Sequence, residues 1–80
     1  MKPIFVMVKC ELGSAYAIAD AVAQNVTEVS EAYSISGAYD LLLKCYVAED
    51  ADIGRFVTKR LQTLPGVKDT FTIMTFKAFA

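Results

Sequence analysis

The chain has 80 residues, 55% of them hydrophobic, and a formal net charge of −1. This length allows one small domain, and the near-neutral charge gives no electrostatic footprint for binding DNA or RNA. The chain has no histidine, which is the usual general base and the commonest metal ligand, and no apolar run reaches the roughly 18 residues of a membrane span. We therefore expect a cytoplasmic protein that holds no metal and no cofactor.

The first predicted element is a β-strand over residues 2–10. Ile4, Val6 and Val8 lie on one face and alternate with the side chains of the other face, as the two-residue period of a strand requires. This alternation, together with the charge of Lys9 within the stretch, predicts a strand rather than a signal peptide.

An amphipathic helix is predicted next, over residues 14–25. Its apolar positions recur at the three- and four-residue spacing of a helix face, and they are Ala15, Ile18, Ala19, Val22 and Val26. Ser14 belongs to the residue types whose side-chain oxygen caps helix N-termini. We expect Ser14 to cap this helix.

A β-hairpin is predicted at the centre of the chain. Its strands cover residues 29–36 and residues 39–47, and Gly37 and Ala38 form the turn between them. Glycine supplies the positive φ that tight turns need, so the turn alone gives Gly37 a sufficient structural reason.

A second helix and a last strand complete the chain. We expect Asp50 to cap the helix and Pro65-Gly66 to end it. Its apolar stripe consists of Ile53, Phe56, Val57, Leu61 and Leu64. The final strand is predicted over residues 67–79, so the element order is β-α-β-β-α-β.

The two halves of the chain are similar to each other. Residues 24–35 (QNVTEVSEAYSI) align with residues 62–73 (QTLPGVKDTFTI), and the glutamine, one valine and the final isoleucine coincide. Each half is then one βαβ unit, and two such units form the split-βαβ, ferredoxin-like arrangement. The sequence predicts an α+β fold of this type, with residues 1–80 as a single domain.

The predicted sheet has no clearly polar face. The run Leu41-Leu42-Leu43 places apolar side chains on both faces of its strand, whereas a sheet with one wet face alternates apolar with polar residues. We therefore expect the face without helices to pack on the same face of a second chain. This arrangement is a sheet-to-sheet dimer, a dimeric α/β barrel.

Few reactive side chains stand out. Cys10 and Cys45 fall on two predicted strands without a CxxC spacing, so we expect two buried reduced thiols, with a disulfide or metal pair as the alternative. The acids Glu31 and Asp69 occupy equivalent positions in the two halves, and we expect them to be solvated or capping rather than catalytic.

Two segments together resemble a known family. Residues 29–43 (VSEAYSISGAYDLLL) resemble the signature V-x-E-x-x-x-[VI]-[ST]-G-x-[YFA]-D of the Lrp/AsnC effector-binding domain, also called the RAM domain. Residues 61–72 (LQTLPGVKDTFT) resemble its second signature, L-x-x-L-P-G-V-x-x-[TS]-x-[TS]. The similarity extends over residues 3–77. Full-length members carry an N-terminal helix-turn-helix domain, so the resemblance implies a stand-alone RAM protein that lacks this DNA-binding head.

The resemblance also implies a ligand site. In the family, the G-x-x-D loop and the hydroxyl residues of the last strand line an effector pocket between dimers, and the effector is an amino acid. The corresponding residues of this chain are Gly37, Ala38, Tyr39, Asp40, Thr70 and Thr72. Sheet-packed dimers are expected to assemble further into octamers or similar rings.

Each of these residues also has an ordinary structural explanation. Asp40 could accept hydrogen bonds from backbone amides of its own turn, or its carboxylate could face the ammonium of a bound amino acid. Thr70 and Thr72 share one face of a strand, where threonine is favoured by propensity alone. Tyr39 could form an apolar wall of the pocket or pack into the core.

The sequence thus favours a sensor with three kinds of expected partner: a small-molecule effector, further copies of the chain, and a full-length Lrp/AsnC regulator. Two alternatives stay open. One is a cofactor-free, monooxygenase-like enzyme of the dimeric α/β-barrel type, which would need polar groups between sheet and helices. The other is a purely structural partner that forms mixed rings with full-length regulators. We expect no enzymatic activity, no direct contact with nucleic acid and no membrane association.

Overall fold

The computed structural model describes all 80 residues. Its elements in chain order are β1 (Lys2–Cys10), α1 (Ala15–Asn25), β2 (Val29–Ser34), β3 (Leu41–Val47), α2 (Ile53–Phe56), a π-helical segment that continues α2 (Val57–Leu61), and β4 (Val67–Met74). The β-α-β-β-α-β order predicted from the sequence is confirmed. No helix is long and apolar enough to cross a membrane.

The four strands form one antiparallel sheet in the order β2-β3-β1-β4. This strand order and the two helical segments give the predicted ferredoxin-like α+β fold. The central strand β1 pairs with β3 on one side and with β4 on the other, so its residues connect both halves of the chain.

The core lies between one face of the sheet and the helices. All 14 buried residues are hydrophobic or cysteine, and they include Ile4, Val6 and Val8 of β1 and Ile18 and Val22 of α1. No polar or charged residue is buried. The predicted face of β1 and the predicted stripe of α1 are therefore confirmed.

The second face of the sheet carries no helix, and we call it the open face. The strand register places Phe5 and Met7 of β1 beside Ile73 and Phe71 of β4 and beside Leu42 of β3 on this face. Phe71 is 51% exposed and Ile73 is 39% exposed. The expectation of apolar side chains on both sheet faces is confirmed.

The expected cap of the second helix is wrong, and the expected cap of the first helix is confirmed in its position but not in its side-chain bond. Asp52, and not Asp50, caps α2, because its Oδ1 accepts a hydrogen bond from the backbone N–H of Arg55 at 3.0 Å. Ser14 occupies the N-cap position of α1 but makes no side-chain capping bond. Its φ and ψ of −97° and −9° are helical, whereas a capping side chain needs an extended backbone to reach the first amides.

The strand ends also differ from the prediction. The first hairpin strand, β2, ends at Ser34, and the second, β3, begins at Leu41. The loop between them is therefore longer than a two-residue turn. The last strand stops at Met74 and not at residue 79, because its partner β1 presents Pro3 at the next position. Proline has no N–H to donate to the ladder. The hydroxyl of Thr75 donates instead to the Pro3 carbonyl at 2.6 Å.

The two cysteines are free and buried, as predicted. Cys45 pairs with Ile4, which is six residues from Cys10 along β1, so the two thiols lie on the order of 20 Å apart. This separation is far beyond the reach of a disulfide, and the alternative of a bonded pair is wrong. Burial, with a smaller contribution from Glu28, raises the pKa of Cys45 to about 11.

Candidate functional site

The loop between β2 and β3 carries four of the predicted ligand residues. Gly37 has a φ of +101°, which confirms that the turn needs a glycine, and the space beside its Cα is empty. The loop is closed by a hydrogen bond from the N–H of Ile35 to the carbonyl of Asp40 at 3.0 Å. It is attached to β1 by a bond from the N–H of Asp40 to the carbonyl of Val8 at 2.9 Å.

Asp40 is attached to β1 a second time, through its side chain. Oδ2 accepts a hydrogen bond from the backbone N–H of Cys10 at 2.7 Å. The pairing of β1 with β4 shifts between Lys9 and Cys10, so this amide lies at an irregularity of the ladder. Of the two roles considered for Asp40, hydrogen bonding to amides of its own turn is therefore wrong. The second carboxylate oxygen, Oδ1, has no protein partner.

A cleft of about 320 Å³ lies beside Asp40 at the start of α1. Its lining residues are Cys10, Glu11, Leu12, Gly13, Ala15, Tyr16 and Asp40. Two of them are carboxylates, and two are large apolar side chains that the chain leaves uncovered: Leu12 is 103% exposed and Tyr16 is 82% exposed. We call this feature the Asp40 cleft. Burial, and to a lesser degree the nearby Asp40 charge, raises the pKa of the Cys10 thiol at its edge.

Sequence reasoning missed Glu11, Leu12 and Tyr16 as possible site residues. One signal was present in the sequence, because Tyr16 falls outside the apolar stripe of α1 and Leu12 falls outside both flanking elements. Large apolar side chains outside the core-facing positions are not buried by their own domain, so they can contact a ligand or another chain. Their position next to Asp40 could not be read from the sequence, since 24 positions separate Tyr16 from Asp40 in the chain.

The Pro65-Gly66 turn, within residues 61–72, supports one wall of the Asp40 cleft. The N–H of Glu11 donates to the carbonyl of Gly66 at 2.8 Å, and Gly66 has a φ of +92°. A Cβ at Gly66 would lie 2.9 Å from the Cβ of Ser14. The Pro65-Gly66 turn is thus packed directly against the loop that forms one side of the cleft.

Thr70 and Thr72 lie on one face of β4, as predicted, but they do not line the Asp40 cleft. They pair with Val8 and Val6, so they share the helix-covered side of the sheet. The hydroxyl of Thr70 accepts a hydrogen bond from Gln62 Nε2 at 2.8 Å. Asp40 is bonded to the opposite side of β1, which separates it from Thr70 by two strand spacings, about 10 Å.

Tyr39 points to the open face rather than to the cleft. Its ring centroid lies 6.2 Å from that of Phe71, with the two rings tilted by 38°. The neighbouring Ala38 carbonyl accepts a hydrogen bond from Lys9 Nζ at 3.0 Å. Within one chain, the structure therefore brings Gly37, Ala38, Tyr39 and Asp40 together in one loop and leaves the two threonines apart.

The two symmetric acids have local partners. Asp69 is exposed within β4 and accepts a hydrogen bond from the N–H of Thr70 at 2.8 Å, so it is solvated, as expected, and caps no helix. Glu31 accepts a hydrogen bond from the Tyr33 hydroxyl and pairs with Lys44 at 3.5 Å. The Tyr33 hydrogen bond and then Lys44 lower the pKa of Glu31. Because β2 and β4 are the opposite edges of the sheet, the two carboxylates cannot act as one acid–base pair.

The space between sheet and helices is filled by the apolar core. A barrel-type enzyme would hold its polar groups there, so this interior offers no general acid or base. Together, the βαββαβ order and the strand order β2-β3-β1-β4 define a small ferredoxin-like domain with one open apolar sheet face.

The family follows from a direct comparison. The family model of the Lrp/AsnC ligand binding domain matches residues 4–80, and the chain belongs to this family. The leucine-responsive regulatory protein of Haemophilus influenzae is 40% identical over 53 residues, which cover 66% of this chain and 32% of that protein. The chain thus spans about a third of the length of this relative.

Solved structures agree with the fold. Protein TTHA0845 from Thermus thermophilus superposes with a TM-score of 0.90 at 29% identity, over 100% of this chain and 99% of that one. The transcriptional regulator NMB0573 from Neisseria meningitidis, in complex with L-Met, superposes with a TM-score of 0.83 at 22% identity. In that case the match covers 98% of this chain and 51% of the other chain, and it shows the likeness of fold.

Proposed function

We propose that this chain is an amino-acid sensor that acts through its state of assembly. The observation that carries the proposal is the geometry of Asp40, whose carboxylate is fixed to β1 through Oδ2 and leaves Oδ1 free beside an open cleft. A carboxylate held in this way is already oriented to accept a hydrogen bond from a cation. Membership of a ligand-binding family makes a small-molecule effector the natural partner.

An α-amino acid fits the chemistry of the Asp40 cleft. Its ammonium group would donate to Asp40, and such charge-assisted hydrogen bonds are about twice as strong as neutral ones. Its side chain would lie against the uncovered Leu12 and Tyr16. The complex of the Neisseria meningitidis regulator with L-Met supports an amino acid as the effector class.

The remaining family-predicted residues require a second chain in this proposal. Gly37, Ala38, Tyr39, Thr70 and Thr72 do not line the cleft of their own subunit. We propose that they contact the effector across a boundary between subunits. An effector that binds at a shared boundary stabilises only the state that contains the boundary, so it shifts the assembly equilibrium.

The dimer in this proposal forms through the open face. Apolar side chains from β1, β3 and β4 lie there together, and a patch of this kind on a small soluble domain marks an interaction site. The charged residues Glu31 and Lys44 on the same face are already paired at 3.5 Å, which lowers the cost of covering them. Such dimers would then assemble into an octamer or a similar ring.

A thermal-shift screen against the common amino acids tests the sensor proposal. A ligand present at 100 times its dissociation constant stabilises the folded state by about 2.7 kcal/mol, which raises the melting temperature of a domain of this size by roughly 10–20 °C. We expect such a shift for one amino acid or a small chemically related group. The absence of any shift at millimolar concentration across the whole panel would sink the proposal.

We further propose that residues 1–80 work as one RAM domain in the cytoplasm, without catalytic activity and without direct contact with DNA. Such a domain would influence transcription through a full-length Lrp/AsnC regulator in mixed rings. Native mass spectrometry of the two proteins together should show mixed oligomers, and a gel-shift assay should show no DNA binding by this chain alone. Separate, unmixed rings would contradict the proposed partnership.

A purely structural role is the second candidate, and the Asp40–Cys10 hydrogen bond is the observation that favours it. If this bond is the whole function of Asp40, the residue would organise the loop without meeting a ligand. Ring assembly that is unaffected by every amino acid, in a chain that still forms mixed rings with a regulator, would favour this role over sensing.

A further inference from the structure

The last six residues form an arm that leaves the sheet after β4. Its first residue, Thr75, is anchored by the hydrogen bond from its hydroxyl to the Pro3 carbonyl at 2.6 Å. The arm then passes the end of the open face, where its residues Phe76, Lys77, Ala78 and Ala80 line a cleft of about 420 Å³ together with Phe5, Lys44 and Tyr46. The arm is therefore continuous with the surface that we propose as the dimer interface.

Two aromatic side chains of the arm are exposed to solvent. Phe76 is 101% exposed and Phe79 is 89% exposed. The Nζ of Lys77, in the same arm, lies 5.5 Å from the centre of the Phe79 ring. Single exposed apolar residues are common, but two phenylalanines within four positions, next to an apolar sheet face, form one extended patch.

The area of these rings is large relative to what a dimer needs. A phenylalanine buries at least about 150 Å² when it is covered, so the two rings offer about 300 Å² per subunit. A stable interface of standard size buries about 800 Å² per partner. The arm could thus supply more than a third of that area, in addition to the open face.

We propose that the arm packs Phe76 and Phe79 onto a second copy of this chain. The inference rests on the proposed sheet-to-sheet dimer and adds a second contact region to it. In a two-fold dimer, each subunit offers the same surfaces, so each arm contacts its partner reciprocally. A second copy is the occupant that fits, because the arm borders the open face that we propose as the dimer interface and adds apolar area where that face ends.

A tryptophan reporter tests where Phe79 lies in solution. The chain contains no tryptophan, so Phe79→Trp introduces a single indole that can be excited selectively over the tyrosines. The matched control is Ala23→Trp, which places the fluorophore on the exposed side of α1, away from the open face. Emission is recorded over a dilution series, and the mass is measured by light scattering on the same samples. We expect the Phe79→Trp emission to shift to shorter wavelength in step with dimer formation, while the control keeps the emission of an exposed indole.

The outcomes separate the arm from the dimer. A dimer in which the Phe79→Trp emission stays that of an exposed indole overturns the arm contact and leaves the proposed dimer intact. A short-wavelength emission in samples whose mass is that of the monomer means that the arm folds onto its own subunit, and this also overturns the inference. A chain that stays monomeric at every concentration contradicts the dimer and the arm contact together.

A loss-of-contact variant provides a second readout. We expect Phe76→Ala combined with Phe79→Ala to weaken dimerisation at least about tenfold, since the variant removes the arm's apolar area and leaves the open face unchanged. Lys59→Ala, in the exposed part of the second helical segment, is the control and should leave the dimer unchanged. An unchanged dissociation constant in the double variant overturns the arm contact.

Discussion

Gly66 shows how a single backbone position supports the Asp40 cleft. Its positive φ is unfavourable for other residues, and a Cβ would lie 2.9 Å from the Cβ of Ser14, closer than such atoms approach. We predict that Gly66→Ala lowers the free energy of unfolding by about 2–4 kcal/mol, through backbone strain and overpacking together. Urea unfolding measures this loss.

Gly13→Ala is the matched control for this prediction. Gly13 also has a positive φ, of +80°, but nothing lies within 4 Å of a Cβ built there. In this variant the free energy of unfolding should fall only by the cost of backbone strain, about 1–2 kcal/mol. Equal losses in the two variants would show that the contact between Gly66 and Ser14 contributes nothing.

The buried thiol of Cys45 makes the free energy of unfolding change with pH in the alkaline range. Burial raises its pKa from 9.0 to about 11, so the folded state keeps the proton over a range in which the unfolded state loses it. The stabilisation is complete below pH 9.0 and is lost as the pH rises towards about 11. A shift of this size corresponds to up to about 3 kcal/mol.

The comparison with Cys45→Ala isolates this effect from the other groups that titrate at alkaline pH. We predict that the stability difference between the native chain and Cys45→Ala shrinks between pH 9.0 and about 11. Urea unfolding over this pH range measures the difference. A difference that is independent of pH would mean that the thiol is not held in the protonated form by the core.

At the scale of elements, Arg60 connects three parts of the chain. Its guanidinium donates to Glu28 Oε2 at 3.2 Å and to the Asn25 carbonyl at 3.1 Å. It thereby joins the π-helical segment to the end of α1 and to the start of β2. Because the pair is partly exposed, we predict that Arg60→Ala costs only about 0.5–1.5 kcal/mol.

Arg55→Ala is the control for Arg60→Ala in a thermal or urea unfolding experiment. Arg55 lies 3.9 Å from Asp52, both side chains are largely exposed, and the contact stays within one helix. Its removal should cost less than about 0.5 kcal/mol. A loss at Arg55 as large as that at Arg60 would contradict a special connecting role for Arg60.

The sequence determined the type and order of the elements well, because the apolar alternation of β1 and the helical stripe of α1 are local patterns. It did not determine the ends and caps, because these depend on partners brought together by folding. Asp50 and Asp52 are both acceptable caps two positions apart, and only the path of the chain selects Asp52. The end of β4 depends on Pro3, at the other end of the sequence.

The candidate site was also hard to predict from the sequence, because its contacts form only when distant residues come together on folding. The Gly37–Asp40 loop was visible in the sequence, but the partner of Asp40 is an amide 30 residues away. The π-helical segment, with its bond from the N–H of Gln62 to the carbonyl of Val57, had no signal in the sequence either. Local patterns cannot encode contacts that exist only in the assembled domain.

For the whole molecule, the proposed dimer depends on the open face. Phe71 lies within this face and is 51% exposed in the single chain, so its substitution should change the isolated domain little. We predict that Phe71→Asp weakens dimerisation at least about a hundredfold, because it would bury an unpaired charge. Sedimentation or light scattering over a dilution series measures this change.

The control for the open face is Thr58→Asp, which places the same charge on the exposed side of the π-helical segment. It should leave the mass unchanged. If both variants, or neither of them, alter the dimer, the open face is not the specific interface.

The central claim is that the Asp40 carboxylate receives an amino acid and that this binding changes assembly. Light scattering of the native chain and of Asp40→Asn, each with and without the amino acids of the panel, tests it most directly. Asparagine keeps an oxygen that can accept the Cys10 N–H and removes only the charge. We predict a ligand-dependent change of mass in the native chain that is absent, or needs at least about tenfold more ligand, in Asp40→Asn. An identical response of the two proteins, or no response in the native chain, would contradict the account.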